Sequence, residues 1–157
     1  MRMWIDADAA PREMKDIVFR TGKRLGFETI LVANQSIEAP ISYPAVRSVV
    51  VKNLADAADH YMVANAQAGD VAITADIALA ALLVKKAVAV IDPRGEEYTD
   101  DNVGQRLMVR NFMEERRGAG ERTGGPAPYG DKAKQAFAAT LDRVLTRLRK
   151  RGAAPGQ

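Results

Sequence analysis

The chain has 157 residues, 47% of them apolar and 27% charged, which fits one soluble domain with a sizeable core. It has no cysteine, which excludes disulfides and thiolate metal sites, and its single histidine, His60, excludes a histidine-rich one. The net charge of +3 is uneven: residues 1–104 carry 11 Lys/Arg against 15 Asp/Glu, whereas residues 105–157 carry 12 against 5.

In chain order, Arg2 to Ile5 reads as a strand that ends in the acids Asp6 and Asp8. Before the first acid the uninterrupted apolar run is only Met3-Trp4-Ile5, which reads as too short for a signal peptide, and no apolar run approaches the roughly 20 residues of a membrane span. The expectation is a cytoplasmic protein without membrane contact. A helix follows from Pro11, with Met14, Ile17, Val18, Thr21 and Leu25 along one face and Gly26 at its exit. Phe27–Ala33 and Val46–Val51 read as the second and third strands, separated by a proline-bearing connection. Leu54–Ala68 reads as a helix, Asp70–Thr74 as a strand, Asp76–Lys86 as a helix and Ala87–Ile91 as a fifth strand closed by the turn Asp92-Pro93-Arg94-Gly95.

Strands this apolar are covered on both faces, so the pattern predicts an α/β/α sandwich around a mostly parallel five-stranded sheet. The order 3-2-1-4-5 is assumed. Beyond Ile91 no strand is expected. Thr99 is placed to cap a helix bearing Val103, Leu107, Met108 and Phe112, ending at Gly118. A glycine-rich connection then runs to Gly130, and Asp131 opens a last helix with the stripe Ala133, Phe137, Leu141, Val144, Leu145 and Leu148. Residues 1–151 are read as one domain, with 105–151 its basic helical segment and 152–157 a disordered tail.

Ligands of doubly wound sheets bind beyond the carboxyl ends of strands, where strand order reverses. In the assumed order Asp6 and Asp8 meet Asp76 there, and Asp56 and Asp59 share an edge of the helix that leads into the fourth strand. Two carboxylates about 5 Å apart repel by roughly 3 kcal/mol at an effective dielectric near 20. Gathering several needs a cation, and all-oxygen donors favour Mg²⁺ or Mn²⁺. Each acid also has a plainer use: Asp8 and Asp76 as helix caps, Asp56 and Asp59 as solvated surface acids, Asp70 as a turn residue. Trp4 and Tyr61 are expected to pack, and His60 to lie on the surface. P-loop, dinucleotide-binding and serine-esterase motifs are absent.

The segment RNFMEERRGAGERTGGPAPYGDKAK sets Arg110, Arg116, Arg117, Arg122, Lys132 and Lys134 around glycines. Arginine forks and accessible backbone N–H groups suit phosphate oxygens, and a solvated connection between helices is the alternative.

IDADAAP, the run from Leu54 to Val103 and RRGAGERTGGPAPYGDKAKQAF together resemble the YaiI/YqxD family of bacterial proteins over about residues 2–150. The resemblance implies a PIN-like α/β/α fold with an acidic site at the strand ends, PIN-like domains including many metal-dependent ribonucleases. It places the family's acidic motif on Asp6 and Asp8, its helix motif on Asp56 and Asp59, and its Thr-x-Asp motif on Thr74 and Asp76. Ala10 stands where the family commonly has cysteine, and Ala75 where it often has glutamine.

The leading expectation is a Mg²⁺- or Mn²⁺-dependent phosphodiesterase acting on RNA or another nucleic acid. Asp6, Asp8 and Asp76 are its catalytic acids, with Asp56 or Asp59 as a further ligand. Arg116, Arg117, Arg122 and Lys132 hold the phosphate backbone. A non-catalytic RNA-binding protein with a relic site is the second expectation. A haloacid-dehalogenase-like phosphatase is the third, weakened because its paired acids would be Asp100 and Asp101 at a helix start.

Overall fold

A computed structural model describes residues 1–8, 10–52, 56–118 and 128–152, with Arg117 and Gly118 described through their backbone alone. Among these residues a six-stranded sheet has the order β3-β2-β1-β4-β5-β6 and is parallel except at its last strand. Its strands are β1 (Arg2–Asp6), β2 (Glu28–Ala33), β3 (Val46–Val50), β4 (Val71–Ile73), β5 (Ala89–Ile91) and β6 (Glu97–Tyr98). Five helices surround it among the described residues: α1 (Arg12–Leu25), α2 (Ala57–Asn65), α3 (Ile77–Lys85), α4 (Asp100–Gly118) and α5 (Asp131–Gly152).

Alternation along β1 sorts the two cores. Met3 and Ile5 pack with Met14, Ile17 and Val18 of α1 and Phe137, Leu141, Val144 and Leu145 of α5. Trp4, on the other face, packs with Ala58 and Met62 of α2, Leu79, Ala80 and Leu83 of α3, and Val103 of α4. Successive side chains of a strand point to opposite faces, so Asp6 lies on the Trp4 side, facing α2 and α3.

The expectation that strands end at Ile91 is corrected by β6. Asp92 N–H donates to the Glu96 carbonyl and Gly95 N–H to the Asp92 carbonyl, folding the chain back so that Val90 and Ile91 pair with Tyr98 and Glu97. Gly95 has φ +95°, and a Cβ there would lie 2.6 Å from the Ala136 backbone of α5. Glycine therefore allows both the turn and the close passage of the helix. The helix expected to end at Gly118 does so; of its apolar positions Val103 is buried, whereas Met108 and Phe112 are exposed.

Other boundaries shift by a few residues. The helix expected over Leu54–Ala68 is described from Ala57 and ends at Asn65, with residues 53–55 outside the described range. Ala87 takes φ +63° after α3, which delays β5 to Ala89. Residues 153–157 also lie outside the described range. Among the described residues no helix is long and apolar enough to cross a membrane.

Candidate functional site

The strand order reverses between β1 and β4, and the acids gather at their carboxyl ends. Trp4 pairs with Ala72 and Ile5 with Ile73, which brings Asp6 beside Thr74. The buried Thr74 hydroxyl donates to Asp6 Oδ2 at 2.9 Å. Asp76 N–H donates to the same hydroxyl oxygen at 3.0 Å. Thr74 thus ties the end of β1 to the start of α3, a role its sequence neighbourhood did not reveal.

Asp76 does cap α3: its Oδ1 accepts from Ala78 N–H at 2.9 Å and Leu79 N–H at 3.2 Å. Capping fixes the carboxylate where it acts electrostatically on both Asp6 and Asp59. Asp59, half-buried in the first turn of α2, has its carboxyl pushed up to about 7. Burial is the main cause, followed by the charges of Asp76 and Asp6, a hydrogen bond with Asp76, and the charge of Asp56. Asp6 is also raised, by burial and then by Asp76 and Asp8, against the lowering effect of the Thr74 hydrogen bond.

Asp56 and Asp59 therefore separate. Asp56 is exposed and precedes the helix with φ +62°, as the residue whose carbonyl accepts from His60 N–H. His60 is exposed. Asp8 does not cap α1: Pro11 holds that position without a side-chain bond, and Asp8 Oδ2 accepts from Asn34 N–H at 2.8 Å. This bond ties the loop after β1 to the end of β2. Asp70 is more than a turn residue, since its buried carboxylate accepts from Arg2 N–H, Trp4 Nε1–H and Gln67 N–H. Trp4 and Tyr61 pack together, with ring centroids 6.3 Å apart.

The side-chain donors near Asp6 are all oxygens, the carboxylates of Asp76 and Asp59 and the Thr74 hydroxyl, the kind that suits a hard divalent cation. Among the described residues, no three His, Cys, Asp or Glu side chains are grouped closely enough to hold one ion. The chemistry of the donors fits; their present spacing does not enclose a common centre.

The protonation of Asp59 has a consequence for stability. An unfolded carboxyl ionises near 3.8, so between there and about 7 the folded chain holds the extra proton. Folding is therefore favoured as pH falls through about 7, and the gain is complete near 4. Asp59→Asn should melt higher than the wild type at pH 8, with the difference vanishing toward pH 4. Thermal melts across this range check it; a difference independent of pH would contradict the assignment.

Of the basic residues, Arg110 pairs with Glu114, and Arg116 lies over the Phe112 ring at 5.3 Å from its centroid. Lys132 is exposed in the first turn of α5. Arg122 lies outside the described residues, as does most of the glycine-rich connection. Its far end returns to the sheet rim that carries the acids: the Tyr129 hydroxyl donates to the Pro93 carbonyl, just beyond β5.

Comparison with known proteins agrees with the resemblance carried by the motifs. Residues 4–147 match the family described as "Uncharacterized BCR, YaiI/YqxD family". A UPF0178 protein of Myxococcus xanthus is 50% identical over 149 residues, covering 94% of this chain and 96% of the relative. One of Pseudomonas fluorescens is 50% identical over 148 residues, covering 94% and 97%. One of Ectopseudomonas mendocina is 48% identical over 148 residues, covering 94% and 99%. No solved structure matches the chain. Near-complete coverage at about half identity, with a family match over most of its length, places this chain in the YaiI/YqxD family.

Proposed function

We propose that this protein is a divalent-metal-dependent phosphodiesterase acting on nucleic acid, with RNA the preferred class. The observation that carries the reading is the strand-end group of Asp6, Thr74, Asp76 and Asp59, in which burial, and after it the charges of Asp76 and Asp6, keep Asp59 protonated to about pH 7. A fold gains nothing in stability from such repulsion, and a cation offsets it. Mg²⁺ or Mn²⁺ would be held by Asp6, Asp76 and Asp59, with Asp8 beside them. When bound it supplies Lewis-acid polarisation of a phosphoryl oxygen and water acidic enough to ionise near neutral pH.

The chain's own residues do the rest. Thr74 orients the Asp6 carboxylate, the α3 cap fixes Asp76, and Asp59 gives up its proton as the site fills. Lys132, Arg116, Arg117 and Arg122 are proposed to meet phosphates. The resemblance to PIN-like domains supports a ribonuclease by analogy of fold. A second reading, a nucleic-acid-binding protein without catalysis, is favoured by one observation: Asp8, Asp6 and Asp76 already accept hydrogen bonds from the protein, and among the described residues no three acids enclose an ion.

End-labelled single-stranded RNA incubated at pH 8 with Mn²⁺, or with EDTA, separates the two. The expected result is shortened product only with metal. Binding without cleavage under both conditions would replace the first reading by the second.

A further inference from the structure

At the opposite rim of the sheet, a hollow of about 500 Å³ lies between Met1, Gly69 and Ala87 and the end of α5, where Leu148, Arg149 and Arg151 close it. We infer that this hollow is a second phosphate site, which holds the backbone of a single-stranded nucleic acid away from the acidic crevice. The inference rests on the proposed partner class but not on catalysis.

Topology puts the two sites at opposite ends. Met1, Gly69 and Ala87 precede β1, β4 and β5, whereas Asp6 and Thr74 follow β1 and β4. Helix α5 joins the rims. Thr140, near its middle, donates to the Gly95 carbonyl beyond β5, and its last turns reach the residues that precede the strands. At 22 residues it spans roughly 33 Å at 1.5 Å per residue.

The lining has the chemistry of a nucleotide site. Arg149 and Arg151 are exposed cations, Met1, Leu148 and Ala87 offer an apolar wall, and among the described lining residues none is acidic. The volume falls within the roughly 300–1,000 Å³ of small-molecule pockets. Ala87 holds a left-handed φ of +63° at the hollow's edge, a conformation that costs energy in a residue with a side chain. The plainer role of these cations is to complement the carboxyl end of the helix. That role is local and needs no hollow. The neighbouring Arg147 differs, since it is paired with Glu97 and so already neutralised.

The experiment is metal-free binding of fluorescent oligouridylates of 4 and 12 nucleotides as a function of salt. Variants are Arg149→Ala/Arg151→Ala and the charge-keeping Arg149→Lys/Arg151→Lys, each checked for an unchanged melting temperature. For single strands the log–log salt slope is about −0.7 per neutralised phosphate. The alanine pair should therefore make the slope for the 12-mer shallower by about 1.4, and the lysine pair should restore it. Inorganic phosphate should compete weakly if the hollow reads phosphate alone. An unchanged slope in the alanine pair, or no binding of either oligonucleotide by the wild type, overturns the inference. Metal-dependent cleavage, measured separately on the same alanine pair with a short substrate, decides whether the nuclease reading survives that outcome.

Discussion

Asp6→Asn and Asp76→Asn should each lower Mn²⁺-dependent cleavage on the order of 10²–10³-fold, without loss of fold stability. Both side chains keep their structural bonds after substitution. Asparagine remains a good helix cap, so its carbonyl oxygen can accept from Ala78 and Leu79 in place of Asp76 Oδ1. At position 6 the same oxygen can accept from the Thr74 hydroxyl. What disappears is one charge from a repelling group. Asp6 is raised by burial and by Asp76 and Asp8, so its ionised form is costly in the folded chain. Loss of activity with an equal or higher melting temperature at pH 8 is the expected pair of results. Loss of activity through unfolding would make the acids structural, and retained activity would remove them from the site.

Asp70→Ala should act in the opposite sense, leaving the acidic site untouched while destabilising the protein by about 3 kcal/mol or more. Asp70 is 4% exposed, and its carboxylate accepts from Arg2 N–H and Trp4 Nε1–H at 3.0 Å and from Gln67 N–H at 2.9 Å. Arg2 also lies 3.6 Å from it as an ion pair. Truncation leaves several donors unsatisfied at once, which costs more than the bonds themselves contributed. Urea unfolding followed by the emission of Trp4, the only tryptophan, measures the change directly. A loss below about 1 kcal/mol would mean that water replaces the carboxylate with little cost.

The parallel core was legible because period and punctuation agreed. Apolar runs such as Ile30–Ala33 and Val71–Ile73, each buried, fit strands covered on both faces. The sixth strand was not, since two residues after a turn carry no periodicity; only the backbone hydrogen bonds around Gly95 and the passage of α5 define it. The site was legible to the same depth. Strand-end acids mark the switch point, but the choice between Asp56 and Asp59 depends on where α2 begins. Helical spacing places them on one edge, yet Asp56 leaves the helix at φ +62° while Asp59 turns toward Asp76. The family resemblance marks Thr74 as part of a Thr-x-Asp motif, but only the strand register shows that its hydroxyl meets Asp6. Helical spacing alone does not tell which apolar positions of α4 are covered: Val103 is buried, whereas Met108 and Phe112 are exposed.

Calorimetric titration of Mn²⁺ into the wild-type protein, at pH 6 and pH 8.5 in buffers of different ionisation enthalpy, tests the acidic crevice most directly as a cation site. With Asp59 protonated up to about pH 7, saturable binding should release about one proton per ion at pH 6 and almost none at pH 8.5. Absence of saturable binding at both pH values, or binding unchanged in Asp6→Asn, would contradict it.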